Sequence, residues 1–338
     1  MVSEVPQHAT DTLASLLAAE LPGRVRRHVM LSEISRWRIG GPAAIYVEPR
    51  SSAEAARVMA LMADRPEPLF IMGDSTNTLF DDRGFSGVIM RIGRNLSAME
   101  IGGKSVWAQA GVWMPHFAKA VGSAGLGGIE HTIGIPGTLG GLIVMNGGSQ
   151  RKGIGVNVKE ALCADEHGNF FALDQTQCGF SYRTSALQRR RVVLLEATLQ
   201  FQPRSRQDVR ADMLSILRDR RGKFPQKLPN CGSTFLSNPA MYEHVGPPGR
   251  VIEGAGLKGL RRGGAQISKL HANFIVNTGG ATSDDVLWLI NHIRSEVFIR
   301  TGYAMDCEVR HLSPEGVLRA AHESALERWR SRSSGVAR

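Results

Sequence analysis

Two glycine loops and three short polar segments are the parts of this chain whose residue types could do chemistry. Gly134-Ile135-Pro136-Gly137-Thr138-Leu139-Gly140-Gly141 places four glycines in eight residues, between apolar stretches. Without a Cβ at those positions several backbone N–H groups can converge on one anion, and a diphosphate is the natural occupant. A second loop, Gly73-Asp74-Ser75-Thr76-Asn77-Thr78, follows an apolar strand and adds hydroxyls, an amide and further backbone donors for another part of the same diphosphate. Each loop alone also reads as an ordinary turn, buried and close-packed in the first case, polar in the second. The polar segments are Ser181-Tyr182-Arg183-Thr184-Ser185, Asn230-Cys231-Gly232-Ser233-Thr234-Phe235 and Asp306-Cys307-Glu308-Val309-Arg310. Taken singly, Arg183 reads as a surface cation, Ser233 as a turn hydroxyl and Glu308 as a strand-edge charge. Spacing alone does not bring them together.

The elements that must position these residues alternate irregularly. The pattern predicts helices over Thr10–Ala19, from Ser52 to about Asp64, Trp113–Ser123, Asp208–Arg221 and Ser283–Arg300. Strands are expected at Ala44–Val47, Leu69–Met72, Val88–Ile92, Val106–Ala110, Val158–Ala164, Phe170–Leu173, Val192–Phe201, Asn273–Asn277 and Met305–His311. Ser51-Ser52-Ala53-Glu54 reads as a capping box at a helix start. Hairpin-like pairs beside helix-linked strands argue for α+β architecture rather than a regular doubly wound sheet. A composition change at Pro203–Gln207 suggests a domain boundary, and the residues after Ser313 read as an Arg- and Ser-rich helix or frayed end.

Composition bounds the function. The chain has 338 residues, 42% hydrophobic and 21% charged, enough for two or three domains and unlike a disordered chain. No stretch approaches the roughly 20 apolar residues of a membrane span, and the N-terminus lacks a secretory pattern. Four cysteines, Cys163, Cys178, Cys231 and Cys307, form no C-x-x-C pair, so a reduced cytoplasmic protein without a metal site is expected. Net charge is +10, and Arg183 to Lys227 carries 12 basic against 4 acidic residues. Such a run suits either a solvated face or anionic ligands such as phosphates. Few aromatics and no nucleic-acid motif accompany it, which argues against nucleic acid. Gly254-Ala255-Gly256-Leu257-Lys258-Gly259 fits G-x-G-x-x-G literally. It lacks the preceding strand and following helix of a dinucleotide fingerprint, and the end of a short helix suits it better. There is no P-loop and no G-x-S-x-G elbow.

In order along the chain, RIGGPA (38–43), the loop at 73–77, GIPGTLGG (134–141), MNGG (145–148), GFSYR (179–183), CGSTF (231–235), GGAQIS (263–268), HANFIVNTG (271–279) and CEVR (307–310) resemble the UDP-N-acetylenolpyruvoylglucosamine reductase family. The resemblance spans about Ser35 to Leu312 and fits the shorter class of that family. It implies an FAD-binding region of two α+β subdomains, of the vanillyl-alcohol-oxidase type, over 35–205. A C-terminal α+β substrate-binding domain over 206–313 would follow, with a helical lead-in at 1–34 and a basic tail at 314–338.

The resemblance also implies roles. Non-covalent FAD would lie with its diphosphate on Gly73, Asp74, Ser75, Thr76, Asn77 and Thr78, and on Gly134, Ile135, Gly137, Thr138, Gly140 and Gly141. Tyr182, Lys223, Asn238 and Asn273 would meet the phosphates and sugar of UDP-N-acetylglucosamine enolpyruvate. NADPH would supply the hydride, which the flavin passes to the vinyl C3. Arg183 and Glu308 would stabilise the enolate-like carboxylate, and Ser233 would protonate C2. A monomer is expected. A flavin oxidoreductase for another nucleotide sugar, or a non-catalytic nucleotide-sugar binder, are the alternatives. The family's first loop usually reads G-G-G-S-N, so Asp74 puts a carboxylate beside a diphosphate, which is unfavourable unless it points away. The loop after Asn146 and Leu236-Ser237-Asn238-Pro239 also depart from the usual A-G-A-Y-G-G and F-K-N-P.

Overall fold

The computed structural model describes residues 7–237 and 239–333. The chain folds into two compact units that do not follow linear order. The first takes 1–28, 44–74 and 87–220; the second takes 29–43, 75–86 and 221–338.

Two sheets build the first unit. In one, Val25–Met30, Pro42–Val47, Phe85–Arg91 and Leu69–Met72 lie in that order, and the last two run parallel with Met72 opposite Arg91. The helix Ser52–Met62 belongs to this half. Ser51 accepts from the Glu54 N–H at 3.1 Å, whereas the Glu54 carboxylate reaches the Arg50 N–H at 2.7 Å. The expected reciprocal box is therefore displaced by one residue on its return arm. The other sheet is antiparallel, ordered Phe170–Asp174, Val158–Ala164, Val193–Gln200, Ser105–Gln109 and Met99–Gly102. Its central strand, VLLEATLQ, buries Val193, Leu194, Leu195, Ala197 and Leu199. The helices Met114–Ser123, with Pro115 in its first turn, and Leu139–Val144 contribute Met114, Phe117, Leu139 and Ile143 to the same core. The basic helix runs Arg206–Lys223 and buries Val209 and Met213; Arg220 is part-buried against Gly134, and the other basic side chains of the helix are exposed.

The second unit has its own core, including Trp37, Leu79, Phe235, Ile252, Ile275, Leu287 and Ile290. One small sheet joins Arg261–Arg262, Ala265–Ile267 and Ile275–Asn277. Another sets Arg310–Leu312 parallel to Thr78–Phe80 and antiparallel to Leu318–Ala320. The helix Ser283–Thr301 opens on a complete capping box, Thr282 with Asp285, and closes on Gly302 in the left-handed region at φ 73°; both are the terminators physical chemistry favours there. Where a frayed tail was one reading, a helix Ala321–Ser333 packs Ala321 and Ala325 into the core. The literal G-x-G-x-x-G falls at the end of a short helix, Pro248–Gly254.

No described helix is long and apolar enough to cross a membrane. Among the described residues, no cluster of three or more His, Cys, Asp or Glu side chains could hold a metal. All four cysteines are buried free thiols.

Candidate active site

Both glycine loops reach the first unit, and they touch. A Cβ on Gly73 would collide with the Thr138 side chain, and one on Gly140 would collide with Ala110. Only glycine permits this approach. Thr138 caps the helix Leu139–Val144 by accepting from the Gly141 N–H at 3.2 Å. The Leu139 and Gly140 N–H groups donate to Val112 and Ala110 carbonyls at 2.8 and 2.7 Å. The first turn of that helix is thus already satisfied and offers an anion little. The N–H groups of Ser75, Thr76 and Asn77 differ: no hydrogen bond among the described residues engages them. Ser75 itself takes φ 51°, and in the glycine-rich loop the N–H groups of Gly134, Gly137 and Thr138 are likewise unengaged among the described residues. That donor set fits a diphosphate, the FAD group the sequence pointed to.

Asp74 has a partner in its own unit. The Arg91 Nη2 donates to Asp74 Oδ1 at 3.1 Å, and Nη1 reaches Glu48 Oε1 at 3.4 Å. Arg91 also adjoins Tyr46, whose hydroxyl is pushed up to about 12 by burial, opposed in part by Arg91.

Arg183 sits at the tip of a tight turn. Ser181 and Thr184 exchange backbone hydrogen bonds at 3.0 and 3.1 Å across Tyr182-Arg183. Arg183 takes φ 56°, the left-handed region a non-glycine residue rarely adopts. Its surroundings hold it there. The Asn146 Nδ2 donates to Ser181 O at 2.7 Å, while Asn146 Oδ1 accepts from the Gly155 N–H at 2.9 Å. The Gln188 amide donates to the carbonyls of Val144 and Arg183, at 2.9 and 3.1 Å. The guanidinium itself is anchored by Nη2 donating to Gly148 O at 2.9 Å. Tyr182 is half exposed, with the Arg183 guanidinium 5.5 Å from its ring centroid.

In the second unit, Ser233 and Glu308 share one scaffold. The Glu308 N–H donates to Thr234 O at 2.9 Å, the Leu236 N–H to Asp306 O at 2.9 Å, and Phe235 pairs with Cys307 in an antiparallel bridge. Residues 75–78 bind both arms. The Asn77 Nδ2 donates to Glu308 O at 3.0 Å, and the Arg310 N–H donates to Asn77 O at 3.0 Å. The Cys231 thiol donates to the carbonyls of Ser75 and Thr78, at 3.4 and 3.5 Å. Burial pushes that thiol up to about 12, so it stays a donor rather than a thiolate.

Asn273 is buried, and its amide is committed to backbone. It accepts from the Phe235 N–H at 2.9 Å and donates to Phe235 O at 3.0 Å, while its own carbonyl accepts from the Thr234 N–H at 2.8 Å. Lys223 is exposed at the end of the basic helix, beside the stacked rings of Phe224 and Phe274. Asn238 lies outside the described residues. The sequence reading missed Asn146, Gln188, Arg91 and Cys231. Asn146 and Cys231 stood inside quoted motifs, so their place in the motif was the available signal. Nothing in the sequence marks Gln188 or Arg91.

Comparison with known proteins gives the family. The family model described as UDP-N-acetylenolpyruvoylglucosamine reductase, C-terminal domain, matches residues 224–312, and an FAD binding domain model matches 43–174. UDP-N-acetylenolpyruvoylglucosamine reductase 1 of Corynebacterium glutamicum is 50% identical over 320 residues, covering 95% of this chain and 96% of that protein. UDP-N-acetylenolpyruvoylglucosamine reductase 2 of Symbiobacterium thermophilum is 36% identical, covering 86% and 92% respectively. The crystal structure of the Thermus caldophilus reductase superposes with a TM-score of 0.73 at 28% identity, over 85% of this chain and 98% of that one. The chain belongs to the UDP-N-acetylenolpyruvoylglucosamine reductase family, and its α+β fold joins an FAD-binding region to that family's C-terminal domain.

Proposed function

We propose that this chain reduces the enolpyruvyl ether of UDP-N-acetylglucosamine enolpyruvate to UDP-N-acetylmuramate, the reaction of peptidoglycan precursor synthesis, with NADPH as donor and Arg183, Ser233 and Glu308 as its reaction residues. The observation that carries the assignment of roles is the scaffold in the second unit. The same loop that keeps unengaged N–H groups for a diphosphate is tied through Asn77 and Cys231 to the segments bearing Glu308 and Ser233. One element thus serves both cofactor binding and the groups that would handle charge and proton.

Bound FAD would carry hydride from NADPH to the vinyl C3 of the substrate. The chain's own residues answer what that transfer creates. Negative charge develops on the substrate carboxylate, and a guanidinium fixed by Gly148 and by the Tyr182-Arg183 turn can meet it without reorganising. Glu308, part-buried with its backbone held on both sides, is the second polarising group. The Ser233 hydroxyl delivers the proton to C2. Serine is a poor acid in water, so this role needs a supporting electrostatic setting, to which Glu308 on the same scaffold would contribute. Lys223 takes a substrate phosphate, as a flexible point charge suits. Tyr182 and Asn238 are proposed substrate contacts. Asn273, with its amide engaged by Phe235, acts on the substrate through the Ser233 turn. The proposed setting is a cytoplasmic monomer.

The test is substrate-dependent NADPH oxidation by the FAD-loaded protein, with the product identified by mass as substrate plus one hydride and one proton. Substrate consumed without that gain, or NADPH oxidised equally without substrate, contradicts the reading.

A further inference from the structure

A carboxylate in a loop that presents N–H groups to a diphosphate is a like charge in an anion site, and Asp74 occupies that place. The register of the first sheet supplies its answer. Met72 pairs in parallel with Arg91, so the side chain ending one strand can reach the loop that leaves the other. Arg91 donates to Asp74 at 3.1 Å and to Glu48 at 3.4 Å. The three side chains are only 25%, 29% and 33% exposed, so their charges are less screened than a surface pair's. Tyr46 packs beside Arg91, and the Arg26 guanidinium lies 4.7 Å from the Tyr46 ring centroid. Arg91 is thereby held from several directions, with one arm of its planar fork on each carboxylate.

We propose that Arg91 is a positioning residue for the cofactor loop: it neutralises Asp74 and holds its carboxylate off the diphosphate, so FAD affinity depends on Arg91 through Asp74. The proposal rests on the reading of residues 73–78 as an FAD diphosphate loop. It makes Arg91 necessary only because Asp74 is present. A direct phosphate contact by Arg91 would make it necessary regardless.

A double-mutant cycle separates these, with FAD affinity read by quenching of flavin fluorescence on titration into apoprotein. Arg91→Met should weaken FAD binding on the order of 10- to 100-fold, the range of measured coupling between interacting charges. Asp74→Asn should bind FAD as tightly as the natural chain or tighter. In the Asp74→Asn background, Arg91→Met should change affinity less than about threefold. Equal loss from Arg91→Met in both backgrounds overturns the proposal in favour of direct contact. Loss of affinity in Asp74→Asn alone overturns it by making Asp74 a ligand, and that variant remains informative if Arg91→Met does not fold. Failure of the natural chain to bind FAD at all would overturn the loop reading itself, a result distinct from an additive cycle.

Discussion

Replacing Asn273 with alanine tests the scaffold beneath Ser233. The side chain makes two hydrogen bonds, both to the backbone of Phe235: it accepts from the N–H at 2.9 Å and donates to the carbonyl at 3.0 Å. Phe235 and Asn273 are 1% and 5% exposed, so water does not readily replace the lost amide. Each buried backbone group left unpartnered costs about 1–3 kcal/mol, so Asn273→Ala should destabilise the chain by about 2–6 kcal/mol. Asn273→Asp should not rescue it, because a carboxylate accepts from the N–H but turns a second oxygen toward the Phe235 carbonyl. The assay is urea unfolding of each variant, alongside KM for the substrate. A stability change under about 0.5 kcal/mol together with a large rise in KM would refute the clamp and return Asn273 to direct substrate contact.

Ser233→Ala should leave flavin reduction by NADPH near normal and slow reoxidation by substrate about 10²–10⁴-fold; stopped-flow absorbance showing equal loss in both steps contradicts its role as acid. Lys223→Ala should weaken substrate binding by roughly 1.5–3 kcal/mol, as expected for one charge-assisted hydrogen bond, and an unchanged affinity places Lys223 on a solvated face. Asn146→Ala takes one of two donors from Ser181 O and the acceptor from the Gly155 N–H, so reoxidation should slow while reduction by NADPH holds; equal slowing of both, by the same stopped-flow comparison, contradicts a specific effect on Arg183. Burial raises the Asp81 carboxyl, but hydrogen bonds from His311 and Arg83 and the Arg83 charge lower it by more, leaving it well below the ordinary carboxylate range. That stabilisation is complete above the unfolded pKa of about 4 and is lost as pH falls below it. Asp81→Asn should therefore flatten the acid limb of a pH profile of urea midpoints, and an unchanged limb contradicts this.

The pieces legible in the sequence were those whose physics is local. The helix expected over Ser283–Arg300 forms as Ser283–Thr301, bracketed by Thr282 with Asp285 and by Gly302. The two glycine loops were visible because glycine density needs no partner to be noticed. What escaped depends on residues distant in sequence. Met305–His311 reads as one strand, yet only Arg310–Leu312 joins a sheet. The residues before it direct their backbone to Thr234, Phe235 and Leu236 instead. No local pattern shows Thr78–Phe80 pairing in parallel with Arg310–Leu312, which is what draws residues 75–86 into the second unit. Asn273 looks like the polar start of a strand, and its double bond to Phe235 appears only once both segments are placed. The partner of Asp74 lies 17 residues away on a neighbouring strand, so its neutralisation could not be read from the loop.

The most direct test of the central claim is an anaerobic titration of the FAD-loaded protein, read by flavin absorbance. NADPH should bleach the flavin, and UDP-N-acetylglucosamine enolpyruvate added afterwards, without oxygen, should restore the colour stoichiometrically with UDP-N-acetylmuramate formed. Flavin that NADPH bleaches but that stays bleached with the enolpyruvyl substrate present would contradict the account.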